Sequence, residues 1–193
     1  GRNDIVLQSK YDRGMEFLNG GYYDTAYQLL SESGHEDIVA QNKYDRAIAM
    51  LEEDDYDSAY QLLEESGHGA VVTQNKYERG MALLDEKDYD NAYKLLEEAG
   101  KNDEVKQSKH DRAIELIEAE KYEDAYELLN EIGMTDEIEE NKYQRAVKLF
   151  AGKKYTEAIS LLESLGKYKD STDMVLECKY QIAEQLRNDG KLL

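Results

Sequence analysis

Five arginines recur at a fixed interval: Arg13, Arg46, Arg79, Arg112 and Arg145. Each closes a short motif, read as Lys10-Tyr11-Asp12-Arg13, Lys43-Tyr44-Asp45-Arg46, Lys76-Tyr77-Glu78-Arg79, Lys109-His110-Asp111-Arg112 and Lys142-Tyr143-Gln144-Arg145. The aromatic or imidazole position falls at 11, 44, 77, 110 and 143, a spacing of 33. A guanidinium is a planar fork that binds carboxylate or phosphate, and its aliphatic stem packs well on apolar surface. The structural reading is a ladder at the border of a packed face, each head bound to a carboxylate or a helix C-terminal carbonyl. The alternative is capture of a ligand carboxylate or phosphate, and a net charge of −19 weighs against it.

Other reactive side chains are sparse. His35 and His68 hold equivalent positions one period apart, and His110 replaces a tyrosine, but no His-x-x-x-His or paired-cysteine spacing accompanies them. They read as surface or packing residues. The Asp-rich stretches lack the glycine and closing glutamate of a calcium loop. Cys178, the single cysteine, reads as a packed thiol, since no histidine accompanies it in its unit. No cofactor is expected, and no asymmetric catalytic cluster interrupts the repetition, so an enzyme is not expected.

Bulk composition narrows the partner class. A net charge of −19 argues against nucleic acid and anionic membrane surfaces, where Lys and Arg supply the binding. Basic proteins, basic peptides or divalent cations remain. No apolar run reaches the roughly 18 residues of a membrane span, so no membrane insertion is expected. No signal peptide is visible, and compartment and oligomeric state stay open.

A fixed period of this length signals a solenoid. Each period reads as two helices. In the second, helix A runs roughly over 36–53 and helix B over 56–65, and Gly67 closes the unit. Gly34, Gly67, Gly100, Gly133 and Gly166 recur where a helix ends in a left-handed turn. With no proline in the chain, nothing breaks these helices. At about 100° per residue, Tyr44, Ala47, Ile48 and Leu51 form one stripe of helix A. Val39, Arg46 and Met50 form a second beside it, so helix A needs neighbours on two sides. Helix B repeats Ala-x-x-Leu-Leu-type spacing, starting at Ala26, Ala59, Ala92, Ala125 and Ala158, and its leucine pairs are expected inside. The expected units are about 4–34, 35–67, 68–100, 101–133 and 134–166, followed by a terminal helix over 170–190. That last helix follows an insertion, Gly166-Lys167-Tyr168-Lys169-Asp170-Ser171, which stretches the spacing to 37.

Asp55-Tyr56-Asp57-Ser58-Ala59, the helix-turn-helix unit and the small residue inside helix A resemble tetratricopeptide repeats over about residues 4–190. The segment Leu165–Ser171 also resembles a repeat of uncharacterised Gram-positive bacterial proteins. The period is one residue shorter than that family's, and its closing proline is absent. The resemblance implies an all-α, right-handed α-solenoid of antiparallel helix pairs, about five repeats plus a terminal helix. It also implies a protein- or peptide-binding scaffold that receives its partner on a concave surface lined by A helices.

In one register that surface is a polar arc: Gln8, Gln41, Gln74 and Gln107 with Asp12, Asp45, Glu78 and Asp111. Carboxylates on helices about 10 Å apart lie within a Debye length and reinforce one another as a cation-attracting strip. In the other register Tyr44, Ile48 and Leu51 line the groove, which would then take an apolar helix. A solvated polar face without a ligand, in a structural spacer or surface-exposed array, is the remaining reading.

Overall fold

The computed structural model describes residues 2–190 and is all-helical among them. Five helix pairs follow one another: α1 (Arg2–Asn19) with α2 (Tyr23–Glu32), α3 (Glu36–Glu52) with α4 (Tyr56–Glu65), α5 (Gly69–Asp85) with α6 (Tyr89–Glu98), α7 (Asn102–Glu118) with α8 (Tyr122–Glu131), and α9 (Thr135–Ala151) with α10 (Tyr155–Leu165). A final helix, α11 (Ser171–Asn188), closes the series. The chain divides into two compact units, Gly1–Asn102 and Asp103–Leu193. Within each, consecutive helices pack on one another, as an α-helical repeat protein requires.

The joints explain the period. Where a B helix ends, Gly67 takes a φ of +80°, His68 N–H donates to the Leu63 carbonyl at 2.7 Å, and Gly67 N–H donates to Glu64 at 3.1 Å. Those paired bonds satisfy the last carbonyls of the helix, and only glycine enters that backbone region without strain. The A-to-B joint uses the same geometry. Asp55 N–H donates to the Met50 carbonyl at 2.9 Å, and Asp54 N–H to Leu51 at 3.3 Å. Here the left-handed residue is not glycine: Asp54, Lys87, Glu120 and Lys153 all have φ between +58° and +63°. Only the first repeat places a glycine, Gly21, at this point.

Aspartate capping of the B helices is confined to one joint. The Asp55 carboxylate accepts from Ser58 N–H at 3.4 Å, whereas the Asp88 carboxylate accepts from the Asn91 side chain at 2.8 Å.

In each unit the core is built from small and large residues that recur with the repeat. Leu30, Leu63, Leu96, Leu129 and Leu162 are fully buried, together with Ala47, Ala113 and Ala146 on the facing A helices. The glycine variants of that small position show how close the helices come. A Cβ on Gly80 would lie 2.8 Å from Leu96 Cγ. The leucine pairs split: the second of each is buried, while Leu29, Leu62, Leu95, Leu128 and Leu161 are only half-buried. Adjacent residues lie about 100° apart, so both cannot point into one seam. Tyr44, Met50 and Leu51 pack against Ala47, Ala59, Leu63 and Val72, which joins one pair to the next.

Candidate interaction site

Two sets of polar side chains repeat with the fold, one inside the stack and one outside. The arginines belong to the first. Arg46 on α3 places its guanidinium carbon 3.6 Å from the Tyr23 ring centroid and donates through Nη1 to the Tyr27 hydroxyl at 3.0 Å. Arg79 repeats this on Tyr56, at 3.3 Å, and Tyr60, at 3.0 Å. Arg145 repeats it on Tyr122, at 3.4 Å, and Tyr126, at 3.1 Å. The expected carboxylate or carbonyl partner is therefore corrected: in these three pairs the head rests on tyrosines of the preceding B helix. Arg112 is half-buried at the equivalent position of α7. Arg13, at the equivalent position of α1, is exposed.

The receiving tyrosine is held from both sides. Tyr27, Tyr60 and Tyr126 hydroxyls donate to Asn42, Asn75 and Asn141 at 2.8, 2.7 and 2.6 Å. Burial pushes the Tyr126 phenol above its ordinary range, while the Arg145 hydrogen bond pulls it the other way. Lys43, Lys76 and Lys142 ammonium groups sit 5.3–5.4 Å from the same rings. In the first four repeats a lysine also reaches a glutamate at the end of helix B. Lys10–Glu32, Lys76–Glu98 and Lys109–Glu131 are 2.8 Å apart, and Lys43–Glu65 is 2.7 Å. Hydrogen bonds from their lysines hold the carboxyls of Glu32, Glu65 and Glu98 below the usual range. Neither the separation of 19 residues (Arg to Tyr) nor that of 22 (Lys to Glu) follows from a single helix wheel. Their recurrence at constant offset is the signal that would have exposed them.

Arg79 also lines an open recess of about 490 Å³ beside α4 and α6, shared with Asp54, Asp55, Asp57, Asn91 and Lys94. An anion entering it would meet four carboxylates, Asp54, Asp55, Asp57 and Glu98, against the two cations Arg79 and Lys94. The geometry thus gives little support to phosphate or carboxylate capture.

The second set is exposed. Gln8 donates to Asp12 at 2.9 Å, Gln41 to Asp45 at 2.8 Å and Gln74 to Glu78 at 2.7 Å on α1, α3 and α5. In the second unit Gln107 donates to Asp111 at 2.8 Å. The order then reverses, Gln144 donating to Glu140 and Gln181 to Glu177, each at 2.9 Å. Spacing of four residues on a helix brings such side chains face to face. On α1, α3, α5 and α7 the rung ties down the amide and leaves an exposed carboxylate, so equivalent positions of these four helices present negative charge. The alternative groove residues lie elsewhere: Tyr44 and Leu51 pack on the core, and Ile48 is half-buried.

The histidines serve the stack. His35 and His68 rings lie 4.5 Å from Tyr11 and Tyr44, and each Nδ1 sits 3.1 Å from a serine hydroxyl, Ser33 or Ser66. At the same offset Lys101 stands 4.8 Å from the Tyr77 ring. His110 Nε2 meets Glu137 at 3.0 Å. Cys178 is fully buried, and that burial raises its thiol pKa. Among the described residues, no group of three or more His, Cys, Asp or Glu could hold a metal ion. No helix among them is long and apolar enough to cross a membrane.

Among the described residues, one cluster has no counterpart in another repeat. The insertion before α11 folds back so that Glu140 on α9 accepts from Tyr168 at 2.6 Å, from Gln144 at 2.9 Å, and from Lys169. Lys169 and Tyr168 hold the Glu140 carboxyl down at about 2, and Glu140 in turn pushes the Tyr168 phenol up to about 12. Tyr143 donates to Asp170 at 2.5 Å on the same loop.

No protein-family model matches the chain, and no curated protein matches it.

Proposed function

We propose that this chain is a protein- or peptide-binding scaffold of tetratricopeptide-like type, whose A-helix polar face receives a basic partner. The observation that carries the reading is the exposed glutamine–carboxylate rung, repeated at the same helix position in α1, α3 and α5. Burial explains why the Leu63 and Ala47 positions repeat. It does not explain why an exposed carboxylate and its amide repeat with them. Carboxylates on neighbouring helices lie within screening distance and add their fields. Cations and basic segments are the matching ligands, and the net charge of −19 favours their approach over that of anions.

The test uses an immobilised array of Lys- and Arg-rich peptides, with an array of acidic peptides of matched length as control. The wild-type chain is retained on the basic array. The Asp45→Lys, Glu78→Lys double variant keeps its far-UV circular dichroism and loses at least about tenfold in affinity at 0.15 M salt, the size expected for several charge reversals. Equal retention of both chains would remove the polar face as the site.

A structural spacer is the second reading. It draws on the arginine–tyrosine–asparagine contacts, which couple one pair to the next with little variation. Crosslinking that captures no partner beyond a larger chain containing these repeats would favour it.

A further inference from the structure

Of all the asparagines in the sequence, only Asn19 is followed by a glycine. It is the last residue of α1, and Gly20, Gly21 and Tyr22 lead from it into α2. All four are exposed. The equivalent end residues of the next A helices, Glu52, Asp85, Glu118 and Ala151, are exposed too, so the exposure of Asn19 belongs to the joint. What differs is the chain that follows. The other joints continue with Glu53-Asp54, Glu86-Lys87, Ala119-Glu120 and Gly152-Lys153, whereas this one pairs two glycines. Glycine regains the most backbone freedom when a turn opens, and helix ends open at little free-energy cost. Three bonds close this turn: Gly20 N–H donates to the Glu16 carbonyl at 3.0 Å, Gly21 N–H to Leu18 at 3.1 Å and Tyr22 N–H to Phe17 at 3.0 Å.

We propose that Asn19–Gly20 is a site of spontaneous, backbone-assisted deamidation, gated by opening of the last turn of α1. While the turn is closed, the Gly20 nitrogen donates to Glu16 and is held away from the reaction. Once the turn opens, that nitrogen gives its proton to solvent and attacks Asn19 Cγ, with no Cβ on Gly20 to crowd the approach. A five-membered succinimide forms, the Cγ–Nδ2 bond breaks, and the side-chain nitrogen leaves as ammonia. Water then opens the ring at either carbonyl, giving aspartate or isoaspartate with no change of oxidation state. The two products differ in consequence. Aspartate supplies the acid that α5 already carries at this position, Asp85, so the joint accommodates it. Isoaspartate lengthens the backbone by one carbon. That shift puts the three closing bonds and the Phe17–Tyr22 ring contact, 6.1 Å between centroids, out of register. Asn42, Asn75 and Asn141 lie half-buried inside helices, accept from tyrosine hydroxyls and precede lysines, so the same chemistry is closed to them.

The experiment incubates the full chain in warm, mildly alkaline buffer beside a urea-unfolded sample, and maps both by acidic digestion and tandem mass spectrometry. In the folded chain Asn19 converts to aspartate and isoaspartate, more slowly than in urea, while Asn42, Asn75 and Asn141 stay intact. Gly20→Ala slows the conversion at least about tenfold. Its Cβ would lie 3.0 Å from the ring of Tyr22, an exposed side chain free to turn aside, so the variant should keep wild-type circular dichroism. Amide exchange of the separated isoaspartate form quickens at Gly20, Gly21 and Tyr22, whereas Asn19→Asp keeps wild-type protection there. An intact Asn19 in the folded chain, after the unfolded sample has fully converted, overturns the proposal. So does equal conversion at Asn42 or Asn75, or a Gly20→Ala rate equal to that of wild type. Unchanged exchange in the isoaspartate form overturns the effect on the joint.

Discussion

The guanidinium of Arg79 lies 3.3 Å from the ring centroid of Tyr56, a residue 23 positions earlier on a different helix pair. That contact, with the bond from Arg79 to Tyr60, fastens one repeat to the next through polar chemistry where a leucine would also have packed. A lysine cannot replace it, because an ammonium has no planar face to stack and no fork to reach a second tyrosine.

Arg79→Ala should therefore lower stability by about 1–2 kcal/mol, the sum of a half-buried cation–π contact and one hydrogen bond. Arg79→Lys should recover less than half of that. Urea unfolding followed at 222 nm measures both, and equal midpoints for wild type and Arg79→Ala would refute the coupling role.

The leucine pairs offer an internal comparison. Leu63→Ala removes a fully buried side chain and should cost about 2–5 kcal/mol. Leu62→Ala, one residue earlier and half-buried, should cost clearly less. The difference between the two unfolding midpoints decides whether only one leucine of each pair belongs to the core.

Left-handed residues at the A-to-B joint carry removable strain. Lys87→Gly, at a φ of +63°, should raise stability by about 0.5–1 kcal/mol, since glycine enters that region freely. Placing alanine at Gly67, with its φ of +80°, should act in the opposite direction. Thermal melts of the two variants should move apart, and a shift of the same sign in both would contradict the strain argument.

Acid should loosen the contact between α9 and the insertion before α11. The Glu140 carboxyl is held at about 2, against an ordinary value of 4.5, so its contribution is complete above 4.5 and is lost as pH falls through 2. Tyr168 is pushed up to about 12 from 10.0, so its contribution is complete below 10 and is lost as pH rises through 12. Glu140→Gln should abolish the acid-side difference. Hydrogen exchange of α11 amides across pH 2–5, corrected for intrinsic rates, would show wild type and variant converging at the acid end. A constant gap between them would exclude Glu140 as the cause.

Much of the fold was legible in single-helix patterns. The spacing of Tyr44, Ala47 and Leu51, the Leu63 position and Gly67 locate helix faces and ends, because burial on one side of a 3.6-residue helix leaves a periodic trace in the chain. The exposed rungs were legible for the same reason, since Gln41 and Asp45 are neighbours on one helix. Contacts between helices were not. Arg79 could have met a carboxylate, a carbonyl or an aromatic ring, and only the packing of α5 against α4 selects Tyr56 and Tyr60. The Lys43–Glu65 pair and the Glu140–Tyr168–Lys169 cluster likewise depend on where two separate segments come to rest. Local periodicity reports which side of each helix avoids water. Which side chains then touch is set by the crossing of one helix on another, and that exists only in three dimensions.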